Sequence, residues 1–421
     1  MLTKMTPEGF WDLLFPESYK KRNLETKIRD IFGKFCYLEH ETPILEFYDL
    51  FGDGRIKSEA MYKFFDKQGR ILALRPDITI PIARIVASKF SNEKLPLRFS
   101  YIDKVFRFNE NYGRQKEISQ AGIELIGVNN SRADAEVIIV IIESLIESGL
   151  TQFQIDIGQV DFFKGLLEDC VLKEDEVETL SEYVDKKDVL GIKEVINKAE
   201  IAENLSQVII KLPSLYGGIN VISDAKELVK SKRSLDALEN IEEVAGIITQ
   251  RGYQKYISID LGMVKRLNYY TGLIFRGFSY GVGYPILSGG RYDDLIQKFG
   301  VDLPAVGGYI NITELMIALD RQKIEIKVPK SNVMLASDRF GINNLFLMSK
   351  LFRNKGYPVE EDLSGLNVNQ SIEYANSKDY RYLLYFEDEC IISIYNLKEQ
   401  KEKKVSVEKF QKDLEDDKWI I

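Results

Sequence analysis

Histidine is almost missing from this chain of 421 residues, with His40 as the only one. That scarcity argues against His-ligated metal chemistry and against a Ser-His-Asp triad. His40 stands between Glu39 and Glu41 and reads as a surface residue. Cysteine is scarce too: Cys36, Cys170 and Cys390 are far apart and form no CxxC pair. They suggest neither a disulfide framework nor a zinc site, and buried thiols are expected. Long apolar runs are lacking, since the longest, Val137 to Ile142, is closed off by Glu136 and Glu143. A bilayer needs about 20 such residues. Met1 to Trp11 carries Lys4 and Glu8 and no signal-peptide core, so a cytoplasmic location is the expectation. Positive charge is also short, with 57 Lys and Arg against 65 Asp and Glu and a net of −8. That balance argues against a protein dedicated to nucleic acid. No Walker A sequence, dinucleotide fingerprint, internal repeat or low-complexity tract is present. No metal and no cofactor is expected.

What is present is ordinary globular material. Hydrophobic residues make up 45% and charged residues 29%, enough for two or three domains with a sizeable core. Helical spacing marks Tyr19 to Phe35, Ile80 to Phe90, Asp134 to Ser148 and the residues after Gln159. Extended patterns mark Tyr62 to Phe65 and Ile71 to Leu74 as a hairpin around Asp66 to Arg70. Strands are also expected at Leu97 to Phe108, Ile118 to Gly127 and Phe153 to Ile157. Further strands follow at Tyr256 to Leu261, Leu273 to Phe278, Pro285 to Leu287 and Ala305 to Ile310. Residues 173–249 are helical and charged and read as an inserted helical subdomain. Residues 323–330, rich in lysine and containing Pro329, read as a linker. Beyond it, strands at Val333 to Ala336, Val359 and Tyr382 to Phe386 alternate with helices over Leu345 to Asn354 and Val368 to Ala375. That alternation suits a small α/β domain.

With so little histidine and cysteine, any chemistry falls to carboxylates, arginines, lysines and tyrosines. Asp77 and Thr79 lie two apart after Pro76, where both could meet an ammonium group or Asp77 could simply cap a helix. Gln120 and Glu124 share parity on one strand and so face one way, onto solvent or into a polar pocket. Arg107 and Arg114 bracket a loop that is either an anion cradle or a solvated turn. Gly289-Gly290-Arg291-Tyr292-Asp293 could be turn chemistry.

In order, these segments resemble the histidyl-tRNA synthetase-like class II family across the whole chain. Ala73-Leu74-Arg75-Pro76-Asp77-Ile78-Thr79 is similar to its LRPEGT segment. Phe106-Arg107, the Gly113-Arg114 loop and Gln120-Ala121-Gly122-Ile123-Glu124 resemble its second class II motif. Leu267-Asn268-Tyr269-Tyr270-Thr271-Gly272 resembles its LDYYT element, and Ser288 to Asp293 its GGRYD segment. Pro304-Ala305-Val306-Gly307 resembles the opening of its third motif. The resemblance implies an α+β fold: a class II synthetase-like antiparallel sheet with flanking helices over residues 1–325, carrying the helical insertion. It further implies an anticodon-binding-like α/β domain over residues 331–421. Asp77, Thr79, Arg107, Gln120, Glu124, Tyr269 and Tyr270 would then be the residues that hold histidine.

The departures from the family fall on its ATP chemistry. Its catalytic arginine aligns with Lys265, which keeps the charge but not the rigid fork, and the glycine beside it has become Arg266. Its third motif should end in an arginine that meets phosphate, and Glu314 stands there instead. Residues 331–421 hold 13 Lys and Arg against 16 Asp and Glu, a poor surface for tRNA. The pattern resembles the branch of regulatory subunits that partner the short form of ATP phosphoribosyltransferase. Lys211 to Gly218 in the insertion points the same way. The resemblance implies a non-catalytic chain with no catalytic residues of its own and L-histidine as effector. It also implies a homodimer inside a hetero-octamer with the catalytic subunit. The alternative is a divergent histidyl-tRNA synthetase.

Overall fold

The computed structural model describes residues 4–52, 56–108, 115–168, 170, 172–264, 269–416 and 418. The chain divides into two compact units, Met1–Ile326 and Lys327–Ile421.

The first unit opens with α1 (Glu17–Lys34), whose Leu24, Ile28, Ile31 and Phe32 recur at helical spacing and are buried. Short strands β1 (Leu38–Glu39) and β2 (Leu45–Phe47) follow, then β3 (Lys63–Phe65), β4 (Ile71–Leu74) and α2 (Thr79–Lys89). The long hairpin β5 (Leu97–Phe106) and β6 (Glu117–Ile126) leads to α3 (Ser131–Glu147). The Asn130 side chain caps α3 by accepting from the Ala133 N–H at 3.0 Å. Next come β7 (Phe153–Gln159) and α4 (Val160–Leu167). The insertion holds α5 (Glu174–Asp185), α6 (Val189–Lys198), α7 (Glu203–Lys211), β8 (Tyr216–Gly217), α8 (Asn220–Leu228) and α9 (Lys232–Gln250). The unit closes with β9 (Ile257–Asp260), β10 (Leu273–Ser279), β11 (Leu287–Arg291), α10 (Asp294–Gln297), β12 (Ala305–Asn311) and α11 (Ile312–Arg321).

Nine strands form one sheet in the order β1-β5-β6-β12-β11-β10-β7-β9-β8, antiparallel except at β1/β5 and β7/β9. Its two faces differ. One packs on α1, α3 and the insertion, and the odd residues Ala121, Ile123 and Leu125 of β6 lie in that apolar core. The other carries Phe99, Tyr101, Ile126 and Tyr292 and packs on α2 and α10. The small sheet β2-β4-β3 completes the unit.

Several expectations change here. The insertion is helical, but β8 pairs with β9 at the sheet edge, and Leu180, Ile192, Ile209 and Leu238 belong to the same core as Ile138 and Ile157. Gly289-Gly290-Arg291 is strand rather than turn, and the strand expected at Pro285 begins at Leu287. The reason is space. A Cβ on Gly289 would come within 2.3 Å of the Phe275 ring and 2.4 Å of the Gly307 carbonyl oxygen. A Cβ on Gly290 would lie 2.6 Å from the Leu273 carbonyl oxygen, so both positions demand glycine for close approach, which in sequence looks like a turn. The expected buried thiols are not buried: Cys36 and Cys390 are exposed and Cys170 is intermediate. His40 is half-buried, its ring edge-on to Phe99 with centroids 4.1 Å apart.

The second unit has a five-stranded sheet. Its elements are β13 (Val333–Ser337), α12 (Ile342–Asn354), β14 (Val359–Glu361), α13 (Val368–Ser377), β15 (Tyr382–Phe386), β16 (Ile391–Asn396), β17 (Lys401–Ser406) and α14 (Val407–Glu415). The order is β14-β13-β15-β16-β17, parallel at β13 and antiparallel beyond β15. β17 reads Lys-Glu-Lys-Lys and has no apolar alternation, so periodicity misses it; lysines suit an edge strand, where they deter pairing with another chain. Among the described residues no helix is long and apolar enough to cross a membrane.

The glycine argument has a direct consequence. Gly289→Ala is expected to cost about 1–3 kcal/mol in urea unfolding, the usual range for overpacking. A turn position would tolerate alanine within about 0.5 kcal/mol.

Candidate functional site

The polar residues on the second face of the sheet gather around one carboxylate. Glu124 sits on β6 with only 1% of its surface exposed. It is opposite Gly307 of β12, where any Cβ would fall 1.6 Å from its Oε2. Gly307 is therefore what makes room for the acid. Thr79, the first residue of α2, donates its hydroxyl to Glu124 Oε1 at 2.8 Å. The Tyr292 hydroxyl donates to Oε2. Tyr101 from β5 is 2% exposed and occupies the space left by the absent side chain of Gly122.

The other expected residues surround this centre to different degrees. Asp77 takes the capping role that the sequence left open to it, and it also pairs with an arginine. Its Oδ1 accepts from the Ile80 N–H at 3.0 Å, capping α2, while Oδ2 faces Arg107 Nη2 at 3.7 Å. Arg107 Nε donates to the Pro76 carbonyl at 2.7 Å, so this arginine pins the turn that carries Asp77. Tyr269 is half-buried, its ring 4.8 Å from Tyr270 and 6.5 Å from Tyr292. Tyr270 packs with Val160, Met263 and Ile274. Gln120 is 2% exposed on the Glu124 face, opposite Asp103 and Asn311. Four residues of strand put it about 13 Å along from Glu124. Lys265, Arg266 and Arg114 lie outside the described residues. Glu314 is in the first turn of α11, where Asn311 Oδ1 accepts from the N–H groups of Thr313 and Glu314. Among the described residues no group of three or more His, Cys, Asp or Glu side chains could hold a metal ion.

Sequence reasoning did not list Tyr101 and Tyr292 as site residues. Tyr292 had a signal, since it lies within the Gly-Gly-Arg-Tyr-Asp segment. Tyr101 had none, because its place depends on the register of β5 against β6.

Burial dominates the electrostatics. It pushes the Glu124 carboxyl up to about 8, against the pull of the Tyr292 and Thr79 hydroxyls, and nearby Asp77 adds to the rise. Tyr292 and Tyr101 are held well above the usual tyrosine range, first by burial and then by the Glu124 charge. The arrangement is a buried carboxyl with a hydroxyl on each oxygen and tyrosine rings beside it.

The architecture is that of a class II aminoacyl-tRNA synthetase, and residues 9–315 match the histidyl-tRNA synthetase family. The solved histidyl-tRNA synthetase from Nostoc has the same fold, with a TM-score of 0.80 at 21% identity, covering 98% of this chain and 99% of that one. A solved ATP phosphoribosyltransferase regulatory subunit/histidyl-tRNA synthetase from Bacillus halodurans gives 0.82 at 30% identity, covering 91% and 98%. The ATP phosphoribosyltransferase regulatory subunit of Acetivibrio thermocellus is 46% identical over 97% of this chain and 98% of its own length. Within the histidyl-tRNA synthetase-like class, the chain belongs to the family of ATP phosphoribosyltransferase regulatory subunits.

The raised Glu124 carboxyl carries a testable sign. Its native value of about 8 exceeds its ordinary 4.5, so the folded chain keeps a proton that the unfolded chain releases. Stability from this group is present in full below about pH 4.5 and is lost as pH rises toward 8. Without ligand, Glu124→Gln should therefore gain stability relative to the parent between pH 5 and pH 8, by up to roughly 1.4 kcal/mol per pH unit. Urea midpoints at the two pH values measure it, and parallel curves would mean that the carboxylate stays ionised.

Proposed function

We propose that this chain is a non-catalytic regulatory subunit that binds a short-form ATP phosphoribosyltransferase. It would raise that partner's activity and make it sensitive to L-histidine. The partner transfers phosphoribosyl from its pyrophosphate donor to ATP and supplies the catalytic groups. The assembly proposed is a hetero-octamer of four regulatory and four catalytic subunits, built on homodimers of this chain.

One contrast supports the reading. The Glu124 centre, with Thr79, Asp77, Tyr269, Tyr270 and Arg107 near it and Gln120 further along the same face of β6, suits histidine. Glu124 would meet a ring N–H or ammonium group, the tyrosines would enclose the imidazole, and Arg107 would reach the carboxylate. The phosphate side does not suit ATP. Glu314 puts a negative charge in the first turn of α11, and Asn311 already accepts from its first N–H groups. An acid there is stabilised by the helix dipole and repels the anion that an adenylating enzyme must hold.

The second reading is a divergent histidyl-tRNA synthetase, favoured by the similarity of the whole chain, C-terminal unit included, to the Nostoc enzyme. Adenylate chemistry separates the two. No histidine-dependent exchange of pyrophosphate into ATP is expected from this chain, and exchange at a synthetase's rate would overturn the regulatory reading. The chain alone should make no phosphoribosyl-ATP, yet raise the activity of a matched short catalytic subunit as it is titrated in. A flat titration would remove the partner assignment.

Feedback provides a separate test. Losing one hydrogen bond to a charged group costs about 1.5–3 kcal/mol, or roughly ten- to a hundred-fold in affinity. Glu124→Ala should shift histidine inhibition to higher concentration by that factor while activation persists. An unchanged inhibition constant in a normally folded complex would place the sensor elsewhere.

A further inference from the structure

Arg291 and Tyr292 are consecutive residues whose side chains leave opposite faces of the sheet. Tyr292 reaches Glu124 on the ligand side. Arg291, 5% exposed, turns to the helical side and grips Asp134 of α3, with Nε at 3.0 Å and Nη2 at 2.6 Å from Oδ1. Its Nη1 donates to Asp293 Oδ1 at 3.1 Å and to the Val128 carbonyl at 3.2 Å. Its own carbonyl accepts from the Thr271 N–H at 2.8 Å, directly after Tyr269 and Tyr270. One arginine thus joins both tyrosine segments of the site to α3.

The polar chain does not stop there. Asp134 Oδ2 accepts from Asn240 Nδ2 at 3.4 Å, and Asn240 lies on α9, the long helix of the insertion. Asn240 also donates to Ser131 Oγ at 3.1 Å and accepts from Gln159 Nε2 at 3.1 Å. The Ser131 hydroxyl donates to Glu243 Oε2, one turn further along α9, at 2.6 Å. Ser131 and Glu243 line an open cleft of about 520 Å³ between α3 and α9. Apolar residues of α9 such as Ala237, Leu238 and Ile241 share one core with Val137 and Ile141 of α3, and apolar packing has no direction. The polar chain does have one, because an amide with every group partnered holds one arrangement and must exchange partners as a set to reach another.

We propose that Asp134 and Asn240 are positioning residues that couple occupancy of the Glu124 site to the placement of α9. This rests on the regulatory reading above. A ligand that takes the Tyr292 hydroxyl off Glu124, or presses on Tyr269, shifts the backbone that carries Arg291. Asp134 follows the guanidinium, and Asn240 carries the change across to the insertion. The ligand biases α9 only through its unequal affinity for the two arrangements.

The test uses the full chain with a short-form catalytic subunit. Asn240→Ala should bind histidine within about twofold of the parent and activate normally, yet lose most inhibition at saturating histidine, where couplings of this kind are about 5- to 150-fold. Hydrogen exchange gives a second measure on the unaltered chain: histidine should change protection over residues 232–250, and the change should vanish in Asn240→Ala. Inhibition at saturation equal to the parent's overturns the proposal. So does a loss of inhibition that merely tracks weaker histidine binding. If Asn240→Ala fails to fold, exchange on the unaltered chain decides, and no change at α9 overturns the coupling. If the unaltered chain binds no histidine, the regulatory reading itself falls first.

Discussion

Burying a carboxylate in the middle of a sheet is the constraint around which this unit is arranged. A buried acid has to be neutralised, paired or given hydrogen-bond donors. Glu124 takes donors from two other elements: the first residue of α2 and the residue just past β11. Each donor fixes something larger than itself. Thr79 ties the start of α2 to β6, and Tyr292 ties the exit of β11 to the same strand. Gly307 sets the register of β12, because no other residue leaves room for the acid. The centre of the sheet is thus specified by a polar group, while the apolar residues behind it supply most of the stabilisation.

Behind that centre the sheet works as a partition. Alternate residues of β6 supply the apolar core on one side and the site on the other, and Arg291-Tyr292 repeats the division in charged and aromatic form. Ion pairs as buried as Arg291–Asp134 contribute little net stability once desolvation is counted, since the attraction roughly repays the loss of water. Their value lies in holding one geometry.

The same economy explains how a synthetase frame can serve a regulatory family. A side chain at the start of a helix can change without disturbing the frame: Glu314 stands in the first turn of α11, where an acid suits the helix.

Local rules read much of this chain correctly. Helical spacing located α1, α2, α3 and α12 to within a few residues, and alternation located β5, β6 and β15. Strand parity alone puts Gln120 and Glu124 on one face, and the order of short motifs identifies the class of fold. Other features were invisible to local rules. Whether Gly289 and Gly290 made a turn or a crowded strand depended on Phe275 and Gly307 for the first and Leu273 and Tyr270 for the second, which lie elsewhere in the sequence. The exposure of Cys36 and Cys390, the edge strand β17, and the roles of Tyr101 and Tyr292 likewise depended on neighbours from distant segments. By itself the sequence determined periodicity, charge and the identity of each side chain. Only the tertiary structure decided which of them met, because register and burial are set by contacts between residues far apart in the chain.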